Sequence, residues 1–333
     1  MKHCALGDQP KVSIIVPNYN HSKFLEQRLL TILNQTFQDF EIIFLDDASK
    51  DNSLEVFKHF SKHPKFAKTI VNEKNGGSPY LQWNRGIVEA HGDYIWIAES
   101  DDFAHPEFLE TMVAILDVNP SVGIAFCQSV KVDEAAQVIG STLDWTAELG
   151  TELWSKDFVA PGREECGKFL IRKCMIPNVS SALIRKAPLS SVGNAHDAMR
   201  YCGDYFTYAK LLEISDLAYI SRPLNYFRFS SNTVRSKMAH SWLHEYERAE
   251  VMAYVSKKFP LSIQERYEAN QAYIEKLIRV SFYDPRFAWA WMSRIRKFHG
   301  PISKFCPGFE FKMIKMGCRS AGRFLKNAIT PLR

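Results

Sequence analysis

No Cys-x-x-Cys pair occurs among the seven cysteines, Cys4, Cys127, Cys166, Cys174, Cys202, Cys306 and Cys318. An odd, scattered set suggests neither a zinc knuckle nor a disulfide framework, and it is simplest to read in a reducing, intracellular compartment. The stretch MKHCALGDQPKV lacks the apolar centre of a secretory signal, and no run of about 18 apolar residues appears anywhere. No membrane-spanning segment is expected. Internal repeats and low-complexity tracts are missing too. The first β-rich run continues into PNYNHSKF, without the glycines that let a pyrophosphate approach a helix start, which argues against a nicotinamide-dependent oxidoreductase. Nor does any histidine pair bracket a glutamate at i, i+4 spacing, so a catalytic zinc is not expected.

What is present is an ordinary globular composition: 333 residues, 46% hydrophobic and 24% charged, enough to bury a sizeable core. The net charge of +5 is unevenly spread. Residues 280–333 hold eleven Lys or Arg against only Asp284 and Glu310, which points this tail at an anionic surface or partner. No recognised nucleic-acid-binding module accompanies it, so nucleic acid is not expected.

Along the first 130 residues, short apolar runs alternate with amphipathic ones, the pattern of a mostly parallel α/β sheet flanked by helices. KVSIIVP is a strand stopped by Pro17, and SKFLEQRLLTILNQT follows with Leu25, Leu29, Ile32 and Leu33 at helical spacing. FEIIFLDD is a second strand, and the ASKDNS after it suits a helix N-cap. KTIVNEK is a third, NGGSP a turn, YLQWNRGIVEAHG a helix ended by Gly92, and DYIWIAE a fourth strand. Pro106 is expected at the first position of the next helix, with Leu109, Met112, Val113 and Leu116 as its stripe. VGIAFCQSV reads as a strand with a hairpin return, Ser141 to Gly167 as a variable loop over a cleft, and the chain beyond His240 as helical and aromatic-rich.

Ligands of open parallel sheets bind beyond the carboxyl ends of the strands. Three such ends carry distinctive groups here: VPNYN, LDDASKDNS and AESDD. In the last, Glu99, Asp101 and Asp102 crowd like charges at a strand end, and a hard cation with oxygen ligands bridging to phosphates would fit them.

The ordered set P-N-Y-N, D-D-A-S-x-D-x-S, N-x-x-G, S-D-D-x-x-x-P and G-D, spanning roughly Lys11 to Ser236, resembles the family 2 glycosyltransferases of the GT-A fold. The resemblance implies an inverting enzyme that uses a nucleotide-sugar donor and a divalent cation, Mg2+ or Mn2+. It places Pro17 and Tyr19 at the base pocket and gives Asp47 the base edge, a carboxylate that would accept an imide N–H and so favour UDP or dTDP sugars. Asp46 either assists or caps the turn. Asp101 matches the metal-binding acid, with Asp102 beside it. Glu99 stands where the family has aspartate, and Trp83 where it often has arginine; Trp83 either packs on the base or belongs to the core. Arg228 matches a late basic segment that could touch the diphosphate. Asp204 matches the acid that opens a helix facing the acceptor, the candidate general base for a hydroxyl that is a poor nucleophile until deprotonated. Gly203 before it permits a close approach, and His196 and Asp197 are candidates for shaping the acceptor pocket.

These readings predict a GT-A domain over residues 1–238, with its nucleotide-binding half at about 11–130 and its acceptor half at about 131–238. A helical, basic C-terminal region over 239–333 follows, where Trp289, Trp291, Phe298, Phe309 and Phe311 alternate with Arg294, Arg296, Lys297, Lys312 and Lys315, as in a helix lying at a membrane surface. The expected partners are the nucleotide sugar, a saccharide, glycolipid or other hydroxyl acceptor, and an anionic membrane surface. The expected role is in cell-surface polysaccharide or glycolipid biosynthesis, at a cytoplasmic or inner-membrane-face location. The alternative, motivated by Glu99 and Trp83, is a non-catalytic membrane-associated or scaffold protein on a degenerate GT-A fold.

Overall fold

Val12–Asn18 (β1) and Phe40–Asp46 (β2) are buried over their whole lengths. Strands this rich in Val, Ile and Phe and buried on both faces need both sides of a sheet covered, and the structure, a computed structural model describing residues 9–149, 152–229 and 242–282, supplies both covers. Along these strands side chains alternate between two apolar layers. Ile15, Ile43, Leu45, Ile95 and Ile97 enter one, while Ile14, Val16, Ile42, Phe44 and Trp96 enter the other.

The sheet also contains Phe66–Val71 (β3), Tyr94–Ile97 (β4), Phe103–Ala104 (β5), Val122–Val132 (β6), Val138–Ser141 (β7), Phe158–Ala160 (β8), Ala182–Arg185 (β9) and Asp216–Arg228 (β10). Its order is β3-β2-β1-β4-β9-β6-β10-β5, with β7 on β6 and β8 on β10. β3, β2, β1 and β4 are mutually parallel. β9 enters antiparallel between β4 and β6, so the second half of the sheet is mixed.

One layer is closed by Ser22–Leu33 (α1) and Phe108–Val118 (α4), which present Leu25, Leu29 and Ile32 and Leu109, Met112 and Leu116. Ser53–Lys58 (α2) adds Phe57. The other is closed by Pro79–Glu89 (α3), Gly203–Leu212 (α8) and Trp242–Lys258 (α9), whose Trp83, Leu211 and Met252 share one core. α3 lies directly on β1: a Cβ on Gly86 would stand 2.5 Å from Ile15 Cγ2. The short helices Leu143–Ala147 (α5), Gly167–Leu170 (α6) and Lys186–Ser191 (α7) occupy the connections, and Ile263–Phe282 (α10) follows α9.

Two local expectations are corrected and a third is made specific. The segment expected to be a variable loop contributes α5 and β8, and its Trp154 is 2% exposed. Irregularly spaced aromatics look loop-like in sequence, yet Trp154 packs edge-on against Phe158, Phe169 and Tyr219, a preferred aromatic geometry. Pro106 sits in a turn ahead of α4, which begins at Phe108, and its carbonyl accepts the Thr36 N–H. In the DNS segment the capping group is Asp51. One of its carboxylate oxygens accepts from Ser53 N and Oγ, the other from Ser22 N, so it ties the starts of α2 and α1 together.

The basic tail, with Trp289, Trp291, Phe298, Phe309, Phe311, Arg294, Arg296, Lys297, Lys312 and Lys315, lies outside the described residues. Among the described residues no helix is long and apolar enough to cross a membrane.

Candidate active site

The parallel register sets Pro17 opposite Leu45 and Asn18 opposite Asp46, so the tips of β1 and β2 end side by side. Asp46 is fully buried, accepting from Asn18 Nδ2 at 2.7 Å and from the Ser49 N–H at 2.8 Å. It clamps the turn. Asn20 and Ala48 hold left-handed φ values of 56° and 61°, a conformation that costs a side-chain-bearing residue about 1 kcal/mol or more. Such strain is stored where the surroundings over-determine the backbone, as at ligand-binding tips. Tyr19, between the two loops, is 41% exposed.

Asp47 is 5% exposed. Its Oδ1 accepts from Asn72 Nδ2 at 2.7 Å, Gln82 Nε2 at 2.8 Å and the Gly76 N–H at 2.9 Å, and that N–H also reaches Oδ2 at 3.0 Å. Arg85 in turn donates to Asn72 Oδ1. The carboxylate is therefore oriented by α3 and the turn before it, with Oδ2 the less engaged oxygen.

The acidic cluster follows β4. The indole N–H of Trp83 donates to Glu99 Oε1 at 2.8 Å, and the Glu99 N–H donates to Ser180 Oγ. Desolvation, reinforced by the charge of Asp101, pushes the Glu99 carboxyl up to about 8 against the opposing pull of Trp83. Asp102 is 2% exposed, and its two oxygens accept from Arg228 N at 2.9 Å and Asn178 Nδ2 at 2.8 Å; burial raises it to about 6, with Asp101 adding to the shift and Arg28 opposing it. Asp101 is half-buried, and among the described residues no hydrogen bond reaches its carboxylate. Three protein ligands do not converge on one point among the described residues. The arrangement suits a cation held by the Asp101 carboxylate and completed by substrate phosphates, the way Mg2+ is usually bound.

The positive charge that lets these acids coexist comes from Arg28 of α1, fully buried and stacked over Trp96 with 4.8 Å between guanidinium and ring. Burial lowers it to about 10, while the fields of Asp102, Asp101 and Glu99 pull upward. Its position between Leu25 and Leu29, on the apolar stripe, was the sequence signal for it. Arg228 has a different role from the one the resemblance suggested. Its Nε donates to the Asp101 carbonyl, Nη1 to the carbonyls of Asp133 and Glu134, and Nη2 to Gln27. With the guanidinium committed to these acceptors and the residue 3% exposed, it braces the cluster from behind instead of meeting a diphosphate.

Asp204 occupies the first turn of α8, with Oδ1 accepting from Tyr205 N at 2.7 Å and from the Tyr80 hydroxyl at 3.3 Å. The close approach that Gly203 permits is internal: a Cβ there would stand 2.3 Å from the His196 carbonyl and 2.6 Å from the Tyr80 ring. Asn84 exchanges hydrogen bonds with the Ala195 backbone and donates to Asp197. One helix thus touches acids from four parts of the chain. Tyr80 reaches Asp204, Gln82 reaches Asp47, Trp83 reaches Glu99 and Asn84 reaches Asp197. Trp83 is 6% exposed and edge-on to Tyr80 at 5.0 Å, so it is a core residue that also holds an acid, rather than a platform open to a base.

Residues 13–174 match the family model described as Glycosyl transferase family 2. Over these residues the chain is similar to glycosyl transferase family 2. Its fold is similar to that of the GT-A glycosyltransferases. An uncharacterized glycosyltransferase of Haemophilus influenzae is 36% identical over 124 residues, 36% of this chain and 49% of that protein; the chain spans about half the length of this relative. Among solved structures, residues 1–349 of S. aureus TarS in complex with UDP-GlcNAc superpose with a TM-score of 0.61 at 18% identity, over 90% of this chain and 80% of that one. The mannosyltransferase PcManGT of Pyrobaculum calidifontis, in complex with GDP-Man and Mn2+, gives a TM-score of 0.54 at 15% identity, over 92% and 88% of the two chains. At these identities the structural likeness is one of fold.

Proposed function

We propose that this chain is a family 2 glycosyltransferase that transfers a sugar from a nucleotide-sugar donor, a UDP-sugar ahead of a dTDP-sugar, to an acceptor hydroxyl with inversion at the anomeric carbon. The observation that carries the reading is the convergence on α3 of Asp47, Glu99 and Asp204, acids more than 150 residues apart at the extremes. The complexes of similar folds with UDP-GlcNAc and GDP-Man support a donor of this class.

In this reading Tyr19 and Pro17 line the base, and Asp47, its Oδ1 engaged by Asn72, Gly76 and Gln82, turns Oδ2 to the base edge. Asp46 holds the turn that shapes this pocket. Asp101 would hold a divalent cation, Mg2+ or Mn2+, which when bound offsets charge on the departing nucleotide. Glu99, fixed by Trp83, borders the donor, and Asp102 holds the β10 backbone and Asn178 around it. Asp204 accepts the proton of the attacking hydroxyl, with its Oδ1 oriented by Tyr80 and the Tyr205 N–H. Because it lies in the first turn of α8, the helix dipole favours its ionised form before the acceptor arrives.

The acceptor is proposed as a saccharide or glycolipid of the cell surface, with the basic tail drawing the protein to the inner face of an anionic membrane. Sedimentation of the full chain with anionic vesicles at low salt tests the last point; failure to sediment removes it. The central test is Asp204→Asn, assayed by nucleotide release from a panel of nucleotide sugars with Mg2+ or Mn2+ and by calorimetric nucleotide binding. Turnover should fall by about 100-fold or more with nucleotide affinity kept. A variant with unimpaired turnover would remove Asp204 from the mechanism, and wild-type protein that binds nucleotide but turns over no donor would favour the scaffold alternative.

A further inference from the structure

We propose that Glu247, on α9 and outside the residues matched by the family model, is a positioning residue that sets the placement of Asp204. The inference rests on the reading of Asp204 as general base. Glu247 is 4% exposed, and its carboxylate receives three consecutive backbone N–H groups: Arg200 N at 2.8 Å on Oε1, and Tyr201 N at 2.7 Å and Cys202 N at 3.0 Å on Oε2. These amides immediately precede Gly203 and Asp204. A buried carboxylate filled by backbone donors forms charge-assisted bonds of about twice the strength of neutral ones, and here all of them act on a single turn of chain.

The turn is gripped from its other side as well. The Tyr80 hydroxyl reaches the Tyr201 carbonyl at 3.2 Å, and Gly203 packs against the Tyr80 ring and the His196 carbonyl with no room for a Cβ. α9 is itself anchored, because the Tyr273 hydroxyl donates to the Glu245 carbonyl at 2.7 Å, Tyr254 donates to Glu213 at the end of α8, and Phe259 packs on Gly167. Residues 200–203 are therefore held from both sides, and the angle at which Asp204 enters α8 follows from how α9 holds the turn before it. Replacing Glu247 by Gln keeps the volume but turns an N–H2 group toward backbone N–H groups, leaving amides unpaired.

The experiment compares wild type, Glu247→Gln and the milder Glu247→Asp with the nucleotide sugar and metal that support wild-type turnover, alongside Asp204→Asn. Amide hydrogen exchange of residues 198–206 is followed in the same proteins. The expected result for a folded Glu247 variant is faster exchange at residues 200–202, a kcat lower by about 10- to 100-fold, as a base displaced by about 1 Å implies, and an unchanged donor KM. Wild-type kcat in a folded Glu247 variant overturns the inference. So does a loss that appears equally in kcat and in donor affinity, since that reports general loosening of the site. If Asp204→Asn itself keeps full turnover, the base assignment falls first, an outcome read without any Glu247 variant.

Discussion

The indole N–H of Trp83 and the Oε1 of Glu99 lie 2.8 Å apart as donor and acceptor. These are two positions at which the chain departs from the pattern of the family it resembles, and they are each other's partner. A glutamate, one methylene longer than aspartate, reaches back to α3, and the tryptophan there supplies a neutral donor in place of a cation.

The pair should be coupled. Trp83→Phe removes the donor while keeping an aromatic ring, and Glu99→Met removes the acceptor while keeping most of the volume. Each alone should lower stability in urea unfolding by about 1–2 kcal/mol, because a buried polar group loses its best partner. Together they should cost less than the sum, with a coupling of about 1 kcal/mol. Strict additivity would mean that the contact contributes nothing of its own.

Ala48→Gly should be tolerated and mildly stabilising. The left-handed backbone at φ 61° is unstrained for glycine, a relief of about 1–2 kcal/mol, offset by about 0.4–1 kcal/mol of added unfolded-chain entropy. A rise of the urea midpoint is expected, whereas Ala48→Val should lower it. A glycine variant less stable than wild type would show that the strain is not there.

Asp51 sets an acid limit on the α1–α2 junction. Partial desolvation pulls its carboxyl up, but the hydrogen bonds from Ser53 and Ser22 outweigh this and hold it below the usual range. A depressed carboxyl adds stability above its unfolded pKa and loses it as pH falls through the folded value. Asp51→Asn should thus be less stable than wild type at neutral pH by about 0.5–1 kcal/mol, as for a lost helix cap, and the gap should close in strong acid. Urea titrations from neutral to acid pH check this, and a pH-independent gap would contradict it.

Arg228→Lys should destabilise the fold rather than weaken the nucleotide contact selectively. An ammonium cannot span Gln27 and the carbonyls of Asp101, Asp133 and Glu134 together, so a loss of about 3 kcal/mol is expected from several hydrogen bonds to a charged group. Calorimetric nucleotide affinity of the folded variant should stay within a few-fold of wild type. A stable variant with strongly reduced affinity would return Arg228 to the diphosphate.

Much of the architecture was legible because it is written in local periodicity. The largely apolar strands β1, β2 and β4, the 3–4 spacing of Leu25, Leu29 and Ile32, and the polar residues at strand tips need no knowledge of distant chain. The fastening of the site was not legible. Tyr80 with Asp204, Gln82 with Asp47 and Glu247 with Arg200 to Cys202 pair residues far apart in sequence, and no local pattern marks such partners. Trp154 and β8 were missed for a related reason: their burial depends on Phe169 and Tyr219 arriving from elsewhere. Arg28 alone left a trace, a cation on an apolar stripe.

Helix α3 acts as a common spar for the acids gathered at the strand tips and at the start of α8. Any change that rotates or slides it, such as a lengthened Asn75–Ser78 turn or a side chain at Gly86, would displace Asp47, the acidic cluster and Asp204 in one motion. On the proposed reading, efforts to alter which nucleotide is used would therefore do better on the exposed tip at Tyr19 than on residues 80–84, where one rod bears several acids at once.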